Sequence, residues 1–551
     1  MMLRPTLIVA AATTLARTLL AEITPGELLM GEMNCVACHS ASPKVAARLA
    51  SRRAPRLAGD GVGVAPRWIR EFLDNPQKVK PGTLMPDMLH GLPPGEKSEV
   101  VEALTHFLVS IQPAAIGASG ESSAALIDGG RKLYHEIGCA QCHAPETLPA
   151  GRTGDPSATA ELDMLRQTAV PLGNLDGKYS VRDLARLLRD PLRSRPSGRM
   201  PSSNLTATEA EAIAAYLLRA QAQEKTLVPP DGADFTVDKA KAQRGASFFF
   251  TLRCADCHED ALAGIVVDAK RAPVRAFDLL RPRQPVGCLS AKPKPNQPKF
   301  DITDRQRAVI LATLQNQAVL SAPLTPEQQV KRTMTVLNCY ACHSRDRRGG
   351  PEGMRREYFT GVGGADLGEE GRIPPSLTHV GAKLQSDWLR KVVVDGAGVR
   401  PNMATRMPAY GEANAGHLPA LFEEADARPD ANPLPDVVAR DDANDSGRKL
   451  LGSGSGGLGC ITCHDFAGKK STGLPGLDLA TTAQRLKWDW FRRYLLDPQS
   501  MRSGTRMPSF WPSGVAANKE LPGGDPEKQI AAIWAYLAGK NFTELPPGLT
   551  R

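Results

Sequence analysis

Gly130-Arg131-Lys132-Leu133-Tyr134-His135-Glu136-Ile137-Gly138-Cys139-Ala140-Gln141-Cys142-His143 is the stretch on which the reading of this chain turns. A helix-like run ends in two cysteines separated by two residues, and a histidine follows directly. The same C-x-x-C-H arrangement occurs at Cys35, Cys38 and His39, at Cys254, Cys257 and His258, at Cys339, Cys342 and His343, and at Cys460, Cys463 and His464. Ten of the eleven cysteines are used in this way. A self-similar segment recurring along the chain is the mark of a repeat architecture.

The spacing has a chemical reason. Two thiols two residues apart can add to the two vinyl groups on one porphyrin edge, and the adjacent imidazole then reaches the iron, so C-x-x-C-H reads as a c-type haem attachment site. A redox dithiol or half of a zinc site also uses C-x-x-C. The following His in every copy weighs against the first, and the wide separation of the pairs leaves zinc without a local partner pair. Five covalently bound haems are expected, with iron held by His39, His143, His258, His343 and His464.

Composition fits. The chain has 551 residues, enough for several domains, with 42% hydrophobic but only 5% aromatic residues, 50 Gly and 45 Pro. Such a loop-rich chain needs something besides side chains to fill its cores. Arg4 followed by Leu7 to Ala12 and small residues up to Ala16 or Ala21 reads as an export signal over residues 1–21. Arg17 interrupts it, so the cleavage point stays open, as does an uncleaved signal acting as an anchor. The expected location is periplasmic or otherwise extracytoplasmic. The formal charge of +9 is dispersed, with no nucleic-acid motif, and haem propionates would offset most of it. No nucleic-acid partner is expected.

The repeat extends beyond the cysteines. Gly31-Glu32-Met33, Gly130-Arg131-Lys132, Gly245-Ala246-Ser247 and Gly447-Arg448-Lys449 mark a helix before four motifs. Helical runs after the motif stop before Pro76, Pro191 and Pro498, where the residue preceding proline disfavours helix. Closing helices follow, as in Ala212 to Leu217 and Ala532 to Leu537, with apolar residues at helical spacing. Linker-like stretches at 112–126, 221–240 and 424–446 suggest domains at 22–113, 126–220, 240–318, 327–424 and 445–551.

Four of these units resemble class I cytochrome c domains. The resemblance implies an all-α fold, a tandem array of five small cytochrome c-like domains with long loops, the third divergent. It also implies a Met thioether opposite the His. Met85-Pro86, Met200-Pro201, Met407-Pro408 and Met507-Pro508 precede the closing helices in four units. Met88 and His90 rival Met85 for the first haem. Arg199, Arg406 and Arg506, each before a Met, read as propionate partners or as solvated side chains. In the same family a proline carbonyl accepts the proximal His N–H. Pro55-Arg56-Leu57, Pro375-Ser376-Leu377 and Pro475-Gly476-Leu477 resemble that loop, and Pro171-Leu172 departs from it. His106, His135, His379 and His417 read as ordinary side chains.

The third unit lacks the Met and carries Cys288, thirty residues after His258. Cys288 as thiolate ligand of that haem, a Lys ligand (Lys292, Lys294 or Lys299), an open iron and a merely buried thiol all remain possible readings. Transfer of electrons between redox protein partners is the leading function. An enzyme of small-molecule or sulfur-compound redox chemistry, with haem 3 reactive, is the alternative, and a subunit of a membrane-bound respiratory complex is a third reading. Residues 345–372 read as a docking loop or a tether.

Overall fold

The computed structural model describes residues 22–59, 61–113, 122–143, 172, 175, 177–221, 235–351, 353, 355–363, 367–434, 441–539 and 542–549. The export-signal reading and Pro171 fall outside these residues. The described chain is helical, with a single two-stranded hairpin, β1 (Ser344–Arg345) and β2 (Arg348–Gly349). No described helix is long and apolar enough to cross a membrane.

Ten helices frame the five motifs. They are α1 (Pro25–Glu32), α2 (Pro94–Ile111), α3 (Ala124–Glu136), α4 (Ala207–Gln221), α5 (Lys239–Thr251), α6 (Asp304–Gln315), α7 (Pro326–Val336), α8 (Leu418–Ala425), α9 (Asp441–Leu451) and α10 (Pro526–Ala538). Their starts follow from local chemistry. Thr303 with Gln306 and Thr325 with Gln328 form capping boxes for α6 and α7, and Asp525 caps α10, where Pro526 fills the first turn.

Three units are contiguous: α3 packs on α4, α7 on α8, and α9 on α10. The other two exchange halves. α1 packs on α6, and α5 packs on α2. The core beside Cys35 joins Leu29, Met30 and Val45 to Phe277, Ile310 and Leu314. The core beside Cys254 joins Leu104 and Phe107 to Ala246 and Phe249, with the two phenyl rings 5.3 Å apart. The expected domains 22–113 and 240–318 are therefore corrected: residues 22–50 fold with 272–321, and residues 55–112 fold with 238–262. Consecutive elements are usually neighbours, which is why the sequence suggests otherwise. Each half carries the same local pattern as its counterpart, so burial is satisfied equally well by either partner.

The helix crossings share one device. A Cβ on Gly26, Gly130, Gly245 or Gly447 would overlap the carbonyl oxygen of Val309, Ala212, Ala103 or Ala532 on the paired helix. In the first unit Gly26, rather than the expected Gly31, holds this place; a Cβ on Gly31 would instead meet Leu49. The fourth unit has Val330, wholly buried, nine residues before Cys339, as Gly26 stands before Cys35.

Candidate haem-attachment sites

Each C-x-x-C-H motif forms one helical turn. The residue before its first cysteine is left-handed in all five: Asn34, Gly138, Arg253, Asn338 and Gly459. That reversal ends the preceding helix and turns the motif across it. The turn is closed by the His amide donating to the first cysteine's carbonyl, at 3.1 Å for His39, 2.9 Å for His143, 3.0 Å for His258, 2.9 Å for His343 and 3.0 Å for His464. All eleven thiols are free. Among the described residues no three His, Cys, Asp or Glu side chains converge as a metal cluster.

The imidazoles are oriented by backbone carbonyls. Nδ1 of His258 bonds Pro55 O at 2.9 Å, Nδ1 of His343 bonds Pro375 O at 2.7 Å, Nδ1 of His464 bonds Leu477 O at 3.0 Å, and Nδ1 of His39 bonds Arg275 O at 2.7 Å. Donation from Nδ1 leaves Nε2 as the lone-pair nitrogen, the form that binds iron. His143 Nδ1 is buried and takes no partner among the described residues. Burial lowers His258, His343 and His464 and takes His143 down to about 4, favouring the same neutral form.

Two expectations change here. Pro55 serves His258 rather than the first motif, because the halves are exchanged. Leu477, not Pro475, receives His464; Pro475 O instead accepts from Asn402 Nδ2 at 2.6 Å, tying the fourth unit to the fifth. Arg275 had no sequence signal, since a backbone carbonyl can come from any residue.

The Met-Pro loops fall as follows. Met200, Met407 and Met507 pack against the cores of their own units. Met85 lies in sequence between the Pro55 loop and α2, both packed in the His258 unit, while its neighbour Leu84 packs against the Cys35 core. The Met85 N–H donates to Thr83 Oγ1 as that of Met507 donates to Thr505 Oγ1, both at 3.3 Å. Met88 packs in the His258 core, and His90 Nε2 meets Gln297 O at 2.9 Å. Cys288 packs beside Cys35, so it leaves the third motif for the first. Arg199 and Arg406 pair with Glu32 and Glu209 of neighbouring units.

The attachment motifs come together in pairs. Burial takes the Cys38 thiol up to about 12, and Cys257 adds to the effect. Asn338 Nδ2 lies 3.8 Å from Cys142 Sγ, and Cys142 acts electrostatically on Cys339 and Cys342. The loops pair too: Asp87 exchanges both backbone bonds with Lys299 (2.9 and 3.1 Å), and Ser202 does so with Ala409 (2.9 and 2.7 Å). The fifth unit joins the fourth through the Leu384–Leu486 bridge. Within 345–372, β1 and β2 form the hairpin, Gln141 Nε2 donates to Arg355 O at 3.2 Å, and Glu370 Oε2 accepts from Thr505 Oγ1 at 3.2 Å. That segment is a seam binding the second and fifth units.

Desolvated cations crowd the pockets. Lys80, beside His143, is lowered to about 7, and Lys178 there is also pushed down. Between the fourth and fifth units Lys383 is lowered to about 7, and Arg400 and Arg485 to about 10. Arg485 Nε is buried without a hydrogen-bond partner among the described residues. Grouped, desolvated cations with too few carboxylates fit the propionates that haem would bring.

Residues 127–221 match the cytochrome c family. This part of the chain is a cytochrome c domain, which implies covalently bound haem iron and electron transfer. No curated protein and no solved structure is similar enough to match the chain.

Proposed function

We propose that the whole chain is a five-haem c-type cytochrome that carries electrons between redox protein partners outside the cytoplasm. The pairing of attachment motifs carries this reading: Cys38 beside Cys257, and Cys142 beside Asn338 and the Cys339–Cys342 turn. Haem iron supplies the one-electron change. The chain's part is to fix each porphyrin by two thioethers, hold each imidazole in one tautomer, and bring the porphyrin edges of different units together.

Attachment chemistry supports the count. All five motifs have free thiols and a closing His–Cys turn, and four of the five imidazoles bond a carbonyl among the described residues. The interlocked halves give the relay a rigid frame, since motion of one unit would break the core of another. The two pairs meet where Arg56 N donates to Ser194 O at 2.8 Å and Ala65 N donates to Lys178 O at 3.1 Å. An order of first and third, then second and fourth, then fifth follows. The basic N-terminal stretch and the attachment chemistry support export.

Intact mass and pyridine haemochrome absorbance test the count, and a redox titration of the purified chain tests the relay. Five haems per chain titrating as one-electron centres are expected. Fewer haems, or cysteines recovered as free thiols in any motif, would overturn the reading.

A further inference from the structure

The His39 unit has no Met-Pro loop, yet the ladder between units fixes what stands in its place. Asp87, Ser202 and Ala409, the bridging residues, each lie two positions after the Met of a Met-Pro pair. Their counterpart in the His39 unit is Lys299, bonded to Asp87 in both directions. Two positions before Lys299 is Gln297, and Pro298 follows it as proline follows the four methionines. Gln297 therefore occupies the sixth-ligand register of the haem site formed by Cys35, Cys38 and His39.

The same count removes Cys288 from that register. Nine residues separate Pro76 from Met85, Pro191 from Met200 and Pro498 from Met507, and nine separate Cys288 from Gln297. Those prolines open the short helical turns Pro76–Val79, Pro191–Ser194 and Pro498–Met501. Cys288 sits in the corresponding turn, Gly287–Leu289. It is the middle residue of that turn, near the start of the loop and nine positions before Gln297, not at the loop's far end.

Gln297 is a poor substitute for Met. An amide oxygen is a hard donor, and thioether and imidazole hold haem iron better. Its Oε1 is already engaged, accepting from Lys294 N at 3.1 Å, while its carbonyl meets His90 Nε2 at 2.9 Å. His90 is thereby committed to the loop. Met30 and Met33 lie in or directly after α1, before the motif, where no other unit carries its Met.

We infer that the haem site of Cys35, Cys38 and His39 keeps an exchangeable sixth position that takes a small π-acceptor diatomic ligand, with carbon monoxide as the probe, while the other four are closed by Met. The inference rests on the five-haem reading above. It assigns the odd site to the first motif and to Gln297, where the sequence alone pointed to the third motif and Cys288.

The test uses the full-length, haem-loaded protein. Pyridine haemochrome first establishes five haems, so failure of the haem reading is seen separately. The dithionite-reduced protein is then titrated with carbon monoxide, and one ligand per chain is expected. Gln297→Met should abolish that binding and add a fifth thioether-to-ferric-haem charge-transfer band to the existing four. Cys288→Ser should leave both readouts unchanged. No carbon monoxide bound by the native chain, binding that persists in Gln297→Met, or binding altered by Cys288→Ser would each overturn the inference. The native stoichiometry decides even if a variant fails to fold.

Discussion

Gly26→Val tests the exchanged halves directly. A side chain there meets Val309 O and Thr313 Oγ1 on α6. Overpacking of this kind costs about 1–3 kcal/mol. The strain falls on a contact that buries Leu29, Met30, Ile310 and Leu314 almost completely. Residues α6 shares with α1 should open more readily by that amount, so their amides should exchange about 5- to 150-fold faster. The assay is hydrogen exchange by mass spectrometry on the haem-loaded chain. Residues 304–315 should lose protection in Gly26→Val while 94–111 keep theirs. The mirror variant Gly245→Val, which would overlap Ala103 O and the Phe107 side chain, should deprotect 94–111 and spare 304–315. If Gly26→Val deprotects 94–111 instead, the first domain is contiguous and the exchanged arrangement is wrong.

Three further outcomes are expected. Met85→Ala should open a second carbon monoxide-binding haem, and ligand-dependent changes in hydrogen exchange should appear at 238–262 rather than at 22–50. Asp426→Ala removes the two-point pair with buried Arg345 (2.7 and 3.1 Å), leaving it only the Asp346 carboxylate at 3.4 Å, and removes the acceptor of Gly381 N; a loss of about 1–3 kcal/mol is expected, read as lost exchange protection across α7 and α8. Glu209 is held at about 2, below its ordinary 4.5, chiefly by its hydrogen bond from Arg406. A depressed carboxylate stabilises the fold above its unfolded value and loses that contribution as pH falls from about 4.5 to about 2. Arg406 is 37% exposed, so solvent screening limits the pair to about 1 kcal/mol. Glu209→Gln should lose about 1 kcal/mol at neutral and alkaline pH, leave stability unchanged below about pH 2, and so flatten that part of the acid-unfolding profile.

Much of the site is legible in the residues because its chemistry is local. A motif of five residues closes on itself in one turn, and a glycine nine residues before Cys35, Cys139 and Cys254 lies at a helix crossing. Gln297-Pro298 could have been found as a proline dipeptide ahead of a closing helix, like the four Met-Pro pairs, but a Gln carries no expectation of iron. Arg275 and Leu477 could not have been found, because a carbonyl acceptor has no side-chain identity. The seam at 355–372 was equally hidden, since its contacts, such as Gln141 with Arg355, join residues far apart in sequence.

The residues by themselves carry the set of parts: five C-x-x-C-H turns, four Met-Pro loops and the helices around them. These depend on interactions spanning a few residues, so the order along the chain is sufficient. Only the tertiary structure decided which part completes which. α1 and α5 have nearly interchangeable crossing glycines, and α2 and α6 offer them similar apolar faces, so local pattern gives neither pairing an advantage. The choice lies in long-range contacts: Phe107 on Phe249, His258 on Pro55, His39 on Arg275, and Asp87 on Lys299. Those contacts carry the proposed assignment of Met85 to the third motif and Gln297 to the first.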